Sequence, residues 1–378
     1  MGKFSSEILL CAFLQVSDQN PTNQWTMMPH VLVVVMDGTL DQQPLSCLEQ
    51  PEKLLRRDNK DGDISWRKNG EEEGQRGNVY LLDLKNSFAG GNYTCHSKDG
   101  SLLNHTEVLI QDDETTSKRI IVKTGQGDHL YCSAQNYNGE FHCSWTWQSR
   151  RVGQVAFLKA RRISDDDDGQ CSLDESGRLW TCSSGQSNFG CSVDDSGHRI
   201  LCLDQQHCPY AEESQHIYVT VYMKSGYLVE SYSKHFYMSE IVKPDKVAIT
   251  KVNTTMIEWT YPSSWSSPYS YFPLTFQIAQ FRERCKKCDK QCTDSKAIKT
   301  STVHSTCQFK VKHRVKAVCI RAKDVLCNSQ WSDWSFIRSV LPSGVKWDRL
   351  SSGVSNLLSI SPLHANQTVC TFLVALTL

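Results

Sequence analysis

Cysteine is the residue type that offers this chain most of its chemistry. The 378 residues include 17 cysteines, which is too many for a reducing compartment and indicates an oxidised, disulfide-linked protein. The tightest group, Cys285, Cys288 and Cys292, has a spacing that would also suit zinc binding or thiol redox chemistry. Zinc requires a second pair of ligands at fixed geometry, and redox motifs lie in a βαβ setting. Neither context occurs in the sequence, so we predict disulfides here and no metal site.

Other side chains that could carry catalysis or bind metals lie in unfavourable contexts. The acidic residues 165–168 lack the glycine and the ligand spacing of an EF-hand, so a solvated loop is the better interpretation. The 12 histidines form no metal-binding spacing, and no Ser-His-Asp context, HExxH motif or phosphate loop is evident. Because the formal net charge is zero, bulk electrostatics favour neither nucleic acid nor a membrane surface. We therefore predict a binding protein without a cofactor rather than an enzyme.

Two tryptophans near the end of the predicted folded region suggest stacking chemistry. They belong to the run Trp331-Ser332-Asp333-Trp334-Ser335, which follows a stretch, residues 315–323, with the alternation of a β-strand. Arg321 on that strand could stack its guanidinium on both indoles, and each such contact contributes roughly 0.5–2 kcal/mol. The alternative is a pair of ordinary tryptophans beside a turn. The complete five-residue pattern favours an Arg–Trp ladder on the face of a β-sandwich.

This run resembles the WSxWS box of class I cytokine receptors. A second hallmark of that family lies upstream, where Cys132 and Cys143 flank an Asn138-Gly139 turn and would bridge a hairpin, and Trp145 follows two positions after Cys143. Both hallmarks occur in the expected order in separate parts of the chain. The resemblance therefore implies an all-β protein in which one immunoglobulin-like sandwich is followed by two fibronectin type III sandwiches.

The first predicted domain, residues 25–111, has an immunoglobulin-like pattern. Cys47, Trp66 and Cys95 have the spacing of a disulfide that joins two sheets around a buried tryptophan. Tyr93, two residues before the second cysteine, is placed as in a tyrosine corner, where the hydroxyl binds backbone upstream. A disulfide-closed β domain of another topology is the alternative interpretation.

The second predicted domain, residues 112–241, contains an internal repeat. Residues 171–182 and 191–202 share the same spacing of 11 positions between their cysteines, with a polar, glycine-containing turn between them. The local pairs Cys171–Cys182 and Cys191–Cys202 are the simplest arrangement. Four cysteines nevertheless allow three connectivities, so the pairing stays open at the sequence level.

The third predicted domain, residues 243–341, carries the WSxWS run, and terminal segments lie outside the three domains. Residues 1–17 have the apolar character of a signal peptide. Residues 342–378 are expected to be a loose tail, because the apolar stretch 369–378 is about half the ~20 residues that a membrane-spanning helix needs. We therefore predict a secreted protein with no membrane span.

Counting cysteines by predicted domain leaves one without a partner. The first domain has two and the third has six, so both can close internally. The second has seven, and Cys208 remains once the hairpin and the repeat are paired. An unpaired cysteine in a secreted protein indicates an intermolecular bridge. The alternatives are a buried or capped thiol, or a bridge to Cys370 in the tail.

The resemblance narrows further, to the soluble members of this family that serve as the beta subunit of a heterodimeric cytokine. It is carried by Asn136-Tyr137-Asn138-Gly139, Cys208-Pro209-Tyr210-Ala211-Glu212-Glu213-Ser214, Ile241-Val242-Lys243-Pro244-Asp245, Ser270-Tyr271-Phe272 and Arg321-Ala322-Lys323-Asp324. It implies that Cys208 forms an interchain disulfide with a four-helix-bundle alpha subunit. It also implies that this subunit docks between the second and third domains, on Tyr137, Glu212, Tyr271 and Asp324. Two tyrosines supply amphipathic contact area, and two acids can clamp an arginine.

The resemblance has two further implications, and the sequence itself contains glycosylation motifs. The first domain would engage a cell-surface cytokine receptor chain; the alternative is a stand-alone or homodimeric soluble receptor that acts as an antagonist. The family's cysteine just after the WSxWS box is absent, so the disulfides of the third domain are expected to be rewired through Cys319 and Cys327, with Cys307 also bonded. Glycans are predicted on Asn92, Asn104 and Asn253, although Asn92 lies inside the tyrosine corner; a fourth sequon, at Asn366, falls in the tail.

Overall fold

The computed structural model describes the following residues: 24–36, 41–48, 63–84, 89–112, 118–124, 127–162, 170–184, 187–209, 213–252, 255–266, 270, 272–282, 287–288, 297–304, 306–312 and 315–338. These residues form strands almost throughout, which confirms the all-β fold class. The single helix among them, α1, spans Met238–Ile241. No helix in this described part of the chain is long and apolar enough to cross a membrane.

The chain divides into two compact units. The first comprises residues 1–120, 148–157 and 222–231, and the second comprises the remainder. The strands wholly within the first unit are β1 (Gln24–Met28), β2 (Val31–Met36), β3 (Gln42–Ser46), β4 (Ser65–Lys68), β5 (Glu71–Arg76), β6 (Val79–Asp83), β7 (Gly91–His96) and β8 (Leu102–Asp112).

Two sheets enclose the core of the first unit. In one sheet, β8 pairs with β2 in parallel and with β7 antiparallel, and β4 and β5 continue outward from β7. The other sheet pairs β3 with β6. The Cys47–Cys95 disulfide joins the two sheets, Trp66 is 2% exposed, and the Tyr93 hydroxyl donates to the Ala89 carbonyl at 2.7 Å. The hydroxyl therefore bonds to backbone upstream, as predicted for a tyrosine corner.

The second unit contains a six-stranded sheet that is built largely from hairpins. Its order is β12-β13-β14-β15-β10-β9. The strands are β9 (Tyr131–Ser133), β10 (Glu140–Ser144), β12 (Gln170–Leu173), β13 (Leu179–Ser184), β14 (Ser187–Val193) and β15 (Arg199–Asp204). Alternate residues of β13, β14 and β15 are buried, as expected for a sheet with one face against a core. Three further strands pass through both units: β11 (Gln154–Arg162), β16 (Ile217–Ser225) and β17 (Leu228–Phe236).

Two smaller sheets complete the second unit. One has the order β18-β19-β22 and the other β21-β20-β23-β24. Their strands are β18 (Ala248–Val252), β19 (Met256–Thr260), β20 (Leu274–Phe281), β21 (Ala297–His304), β22 (Gln308–Lys310), β23 (Ala317–Asp324) and β24 (Ser335–Arg338). The central strand β23 is buried along most of both faces, which explains its apolar run.

Within the described residues, disulfides close three hairpins and two longer connections. The hairpin bonds are Cys132–Cys143, Cys171–Cys182 and Cys191–Cys202, and the longer ones are Cys47–Cys95 and Cys288–Cys319. In each hairpin bond the cysteines face each other across paired strands, with Cα atoms 4.0–4.1 Å apart. The repeat therefore closes locally rather than by either of the crossed connectivities.

The expected disulfides of Cys307 and Cys327 are wrong. Both residues are free thiols, as is Cys208. Cys319 is bonded instead to Cys288, and the pair packs with Trp334 and Phe336 in a small core. Cys307 lies just before β22 on the opposite sheet, whereas Cys327 lies in the turn after β23. The cysteine count by domain was therefore wrong to leave Cys208 as the single unpaired residue.

Several predicted features fall outside the described residues. These are the signal peptide 1–17, the acidic run 165–168, the tail 342–378, the partner-contact residues Glu212 and Tyr271, the Asn253 and Asn366 sequons, and the cysteines 285 and 292.

Candidate functional site

Four short segments of the second unit meet at what we call the elbow: residues 134–138, 242–245, 264–265 and 324–330. Ala134 forms a parallel bridge with Val242, and the Lys243 amide donates to the Ala134 carbonyl at 2.7 Å. The Gln330 amide in turn donates to the Val242 carbonyl at 2.8 Å, while the Tyr131 hydroxyl donates to the Gln330 side chain at 2.6 Å. These bonds hold the hairpin turn after β9 against the loop after β23.

Tyr137 lies at the centre of the elbow. Its hydroxyl donates to Asp324 Oδ2 at 3.1 Å, and its ring makes an edge contact with Trp265 at a centroid distance of 6.0 Å. The side chain is 7% exposed. Burial, the hydrogen bond with Cys327 and the charge of Asp324 together raise the pKa of Tyr137 well above its usual value. The phenol is therefore a fixed neutral donor at physiological pH.

Asp324 is a fully buried carboxylate at the end of β23, with 0% of the residue exposed. Its Oδ1 accepts the amide hydrogens of Leu326 at 2.8 Å and Cys327 at 3.3 Å. Its own amide donates to Ser329 Oγ at 2.9 Å. Among the described residues no cation pairs with it. Burying an unpaired charge is unfavourable even when neutral donors surround it, so this carboxylate lacks a counterion among the side chains that the structure describes.

The free thiol of Cys327 belongs to the same cluster. It is half-buried and interacts with the Tyr137 hydroxyl. Burial is the main cause that raises the pKa of the Cys327 thiol, so it is protonated and weakly nucleophilic at neutral pH. Sequence reasoning had assigned Cys327 to a disulfide, and the pattern held no signal that it faces a tyrosine 190 positions earlier in the chain.

Cys208 follows a loop that packs directly on the Asn138-Gly139 turn. The Asp204 amide donates to the Gly139 carbonyl at 3.0 Å. Gly139 has φ +90°, and a Cβ there would lie 2.8 Å from the Asp204 carbonyl oxygen and 3.0 Å from the Cβ of His207. A glycine is therefore required both by the turn and by this close approach. Cys208 itself is half-buried, next in sequence to the histidine that contacts the turn.

The loop before Cys208 is anchored by an ion pair that sequence reasoning missed. Arg162 Nη2 lies 2.5 Å from Asp204 Oδ2, whose side chain is fully buried. The same guanidinium nitrogen is 3.5 Å from His207 Nδ1. Burial lowers the pKa of His207, against the opposing charge of Asp204. No sequence motif links Arg162 and Asp204, because the pair joins the end of β11 to the end of β15.

Glu213 was also missed by sequence reasoning. It binds the start of the short helix that leads into the elbow. Its two carboxylate oxygens accept the amide hydrogens of Met238 at 2.7 Å and Ser239 at 2.9 Å. These amides lie at the start of α1, where the helix itself supplies no acceptor. The helix is followed by Val242 and Lys243, so this contact positions the chain where it enters the elbow. An acid at a helix N-terminus is a recognisable signal only once the helix is known.

The WSxWS run clamps the strand that ends in Asp324. The Arg321 guanidinium carbon lies 4.7 Å from the Trp331 ring centroid and 4.4 Å from that of Trp334. Ser332 exchanges two bonds with Ala322, since its Oγ accepts the Ala322 amide at 2.9 Å and its own amide donates to the Ala322 carbonyl at 2.7 Å. Ser335 Oγ donates to the Val247 carbonyl at 2.5 Å. These contacts hold β23 in place just before Asp324, the residue with which the strand ends at the elbow.

Comparison with known proteins agrees with this architecture. The model of the family described as "Cytokine interleukin-12p40 C-terminus" matches residues 127–225. The interleukin-12 subunit beta of Mesocricetus auratus is 30% identical over 289 residues, which cover 72% of this chain and 81% of the relative. That of Equus caballus is 30% identical over 277 residues, covering 69% and 78%, and the human protein is 29% identical with coverage of 69% and 77%. The chain belongs to the interleukin-12 subunit beta family.

Membership of this family confirms the resemblance drawn from the WSxWS run, the cysteine hairpin and the elbow motifs. It makes the protein a cytokine subunit and not an enzyme. The elbow described above contains Tyr137 and Asp324 in direct contact, with Cys327 beside them and the Cys208 loop packed on the neighbouring turn. Cys307 lies elsewhere, next to Trp259.

Proposed function

We propose that this protein is the secreted beta subunit of a heterodimeric cytokine and that it binds a four-helix-bundle alpha subunit at the elbow. In this proposal the chain comprises an immunoglobulin-like domain, residues 25–111, and two fibronectin type III domains, residues 112–241 and 243–341. The first domain engages a cell-surface cytokine receptor chain. Cys208 forms the disulfide to the alpha subunit, while Tyr137 and Asp324, together with Glu212 and Tyr271, form the contact site.

The observation that carries the proposal is the buried carboxylate of Asp324. It is held by neutral donors from Tyr137, Leu326 and Cys327, and an arginine or lysine of a partner would supply the missing charge. Charge-assisted hydrogen bonds are roughly twice as strong as neutral ones, and a guanidinium matches a carboxylate in geometry. Tyr137 and Trp265 add the aromatic surface that is enriched at the centres of interfaces.

Docking would require the loop 325–329 to open, because Asp324 and Tyr137 are buried in the isolated chain. This loop carries Leu326, whose side chain is 68% exposed although it is large and apolar. Displacing the loop would expose the carboxylate and bring Leu326 onto the partner. Opening the loop would break the hydrogen bonds of Asp324 with Leu326, Cys327 and Ser329, so the charged donor of the partner has to offset their loss.

Cys208 is suited to a covalent link because it is a free, half-buried thiol at the edge of the elbow. Its loop is anchored by the Arg162–Asp204 pair, so the thiol is held in place while the partner docks. Oxidation to the interchain disulfide removes two electrons and two protons, which the oxidant of the secretory pathway accepts.

The test is co-expression with a helical alpha subunit, followed by electrophoresis of the secreted protein with and without reductant. We expect a covalent heterodimer that disappears with reductant and with Cys208→Ser. Cys307→Ser is the matched control, because Cys307 is also a half-buried free thiol but lies outside the elbow, and its adduct should persist. An adduct that survives Cys208→Ser but is lost with Cys327→Ser would move the bridge to the neighbouring thiol. A chain that is secreted as a monomer or homodimer whatever alpha subunit is offered would favour a stand-alone soluble receptor.

A further inference from the structure

Two sequons of the first unit lie on neighbouring strands but face opposite ways. Asn92-Tyr93-Thr94 is in β7, and Asn104-His105-Thr106 is in β8. Successive residues of a strand point to opposite faces, and residues paired directly across two strands share a face. The antiparallel register pairs Asn92 with Glu107 and Asn104 with Cys95. One asparagine therefore shares its face with a charged side chain and the other shares it with a core cysteine.

Asn104 is turned towards the interior and its amide is already in use. Its Nδ2 donates to the Cys47 carbonyl on the opposite sheet at 2.8 Å, and its Oδ1 accepts the His105 amide at 2.8 Å. Its cross-strand neighbour Cys95 is 1% exposed and bonded to Cys47. Asn104 is half-buried, and a glycan is attached through this same Nδ2, so a modified Asn104 would have to place a sugar beside the disulfide.

Asn92 is exposed and its side-chain amide makes no hydrogen bond within the described residues. The chain neighbours Gly91 and Tyr93 are buried, which places Asn92 on the solvent face by alternation. Only its backbone is engaged, since its amide hydrogen is donated to Asn69 Oδ1 at 2.8 Å. The tyrosine corner therefore does not obstruct the sequon, because Tyr93 points inward to Ala89 while Asn92 points outward.

We infer that Asn92 carries an N-linked glycan in the secreted protein and that Asn104 does not. N-glycans are added before the chain has folded, so the structure acts as a filter on which modified chains can reach the native state. A sugar at Asn92 is compatible with every described contact of β7. A sugar at Asn104 would replace one of the two hydrogens on Nδ2, the atom that donates to the Cys47 carbonyl, and would crowd the Cys47–Cys95 disulfide on the interior face of β8. The inference rests on the secretion that is part of the proposed function.

A glycan at Asn92 also marks one face of the first unit as unavailable for protein contact. Thr94 and Glu107 lie beside it on the same face of β7 and β8, and the sugar would cover them. The face formed by β3 and β6, where Val79 and Leu81 are 45% and 42% exposed, carries no sequon within the described residues and would stay open.

The experiment uses the full chain, secreted from eukaryotic cells and deglycosylated with an amidase in heavy-oxygen water. The amidase converts each glycosylated asparagine into a mass-tagged aspartate, which peptide mass spectrometry locates. We expect the tag on Asn92 and none on Asn104. Asn92→Gln and Thr94→Val should each remove one glycan from the secreted protein. Thr106→Val should leave the number of glycans unchanged, and it is the matched control because it destroys the sequon while keeping the Asn104–Cys47 hydrogen bond.

A tag on Asn104 in secreted protein, or secreted protein with an untagged Asn92, would overturn the inference while leaving the proposed function intact. A chain retained in the cells with every partner would contradict secretion, and the inference would fall with it. Comparing the intracellular and secreted pools adds a further readout, since chains modified at Asn104 should be found only among those retained.

Discussion

Two buried carboxylates of the second unit differ in a single respect. Asp204 and Asp324 both lie at the end of a strand, and the side chains of both are shielded from solvent. Asp204 has the guanidinium of Arg162 at 2.5 Å, whereas the described partners of the Asp324 side chain are backbone amides and the Tyr137 hydroxyl. A buried charge that has a counterion is already neutralised within the protein. A buried charge without a counterion can instead pair with a cationic side chain of a binding partner. Under the proposed function, the difference separates an acid that stabilises the fold from one that contacts the alpha subunit.

The largest effect should come from breaking the complete pair. Arg162→Ala leaves the Asp204 carboxylate buried without a counterion, so we expect the free energy of unfolding to fall by about 3–5 kcal/mol. Urea denaturation with the disulfides intact would measure it. Arg199→Ala is the control, because Arg199 pairs with Asp194 at 3.2 Å on a half-exposed surface and such pairs contribute about 0–1 kcal/mol. Equal losses in the two variants would contradict the assignment of Asp204.

Substitution of Asp324 should weaken binding of the alpha subunit more than it lowers the free energy of unfolding. Asp324→Asn keeps a carbonyl oxygen for the Leu326 amide but removes the charge. We expect the affinity for a helical alpha subunit to fall by a factor of about ten to one hundred, which corresponds to about 1.4–2.8 kcal/mol, while stability changes by less than about 1 kcal/mol. Titration calorimetry and urea denaturation would separate the two quantities.

Asp245→Asn is the matched control for this variant, because Asp245 is an exposed acid of the same elbow and should keep wild-type affinity. If Asp324→Asn unfolds as readily as Arg162→Ala, or binds like the wild type, the two carboxylates do not differ as we describe.

A smaller effect should follow from removing the Tyr137 hydroxyl, which is the side-chain donor to Asp324 that the described residues supply. Tyr137→Phe deletes the hydroxyl that lies 3.1 Å from Oδ2, and we expect a loss of about 1–2 kcal/mol in stability because the acceptor is charged and buried. A double-mutant cycle with Asp324→Asn would measure the coupling. Additive losses would show that the contact is present without being energetically important.

The smallest effect should be a pH dependence of the free energy of unfolding, caused by His207 beside the Arg162–Asp204 pair. Burial holds the pKa of His207 below its usual value of 6.5, so the folded state binds fewer protons than the unfolded state. Stability is therefore present above pH 6.5 and is lost as the pH falls below it. The neighbouring charges are Asp204, Arg162 and Glu213. Urea denaturation of wild type and His207→Gln at neutral and mildly acidic pH should show a steeper loss in the wild type; parallel curves would exclude His207 as the titrating group.

The sequence allowed us to predict contacts between residues that are close in the chain. The hairpin cysteines are 11 positions apart, and Arg321 is 10 and 13 positions from the indoles that it contacts. In each case strand alternation and a turn determine which side chains meet. The all-β class follows from the same short alternating runs.

Contacts between distant segments could not be reached in this way. Asp324 lies 187 positions from Tyr137, and the Arg162–Asp204 pair joins two strands that are not sequence neighbours. Cys288 pairs with Cys319 because β20 and β24 flank β23 and bury that cysteine completely. Counting cysteines within a predicted domain contains none of this information, so Cys307 and Cys327 were assigned to bonds that they do not form.

The spacing of the disulfides also predicts the order in which they form during folding. Closing a loop of 11 positions is entropically easier than closing one of 31 or 48, and hairpins form in about 1–10 μs, whereas distant strands pair much more slowly. The three hairpin cystines can therefore oxidise as soon as each turn has formed, before the sheets assemble. Six cysteines are thereby withdrawn early from thiol exchange. Cys307 and Cys327 remain as thiols in the folded chain, and Cys208 stays a thiol until the proposed partner is bound. Oxidative refolding of the chain alone should therefore scramble chiefly among these three and the cysteines that pair late.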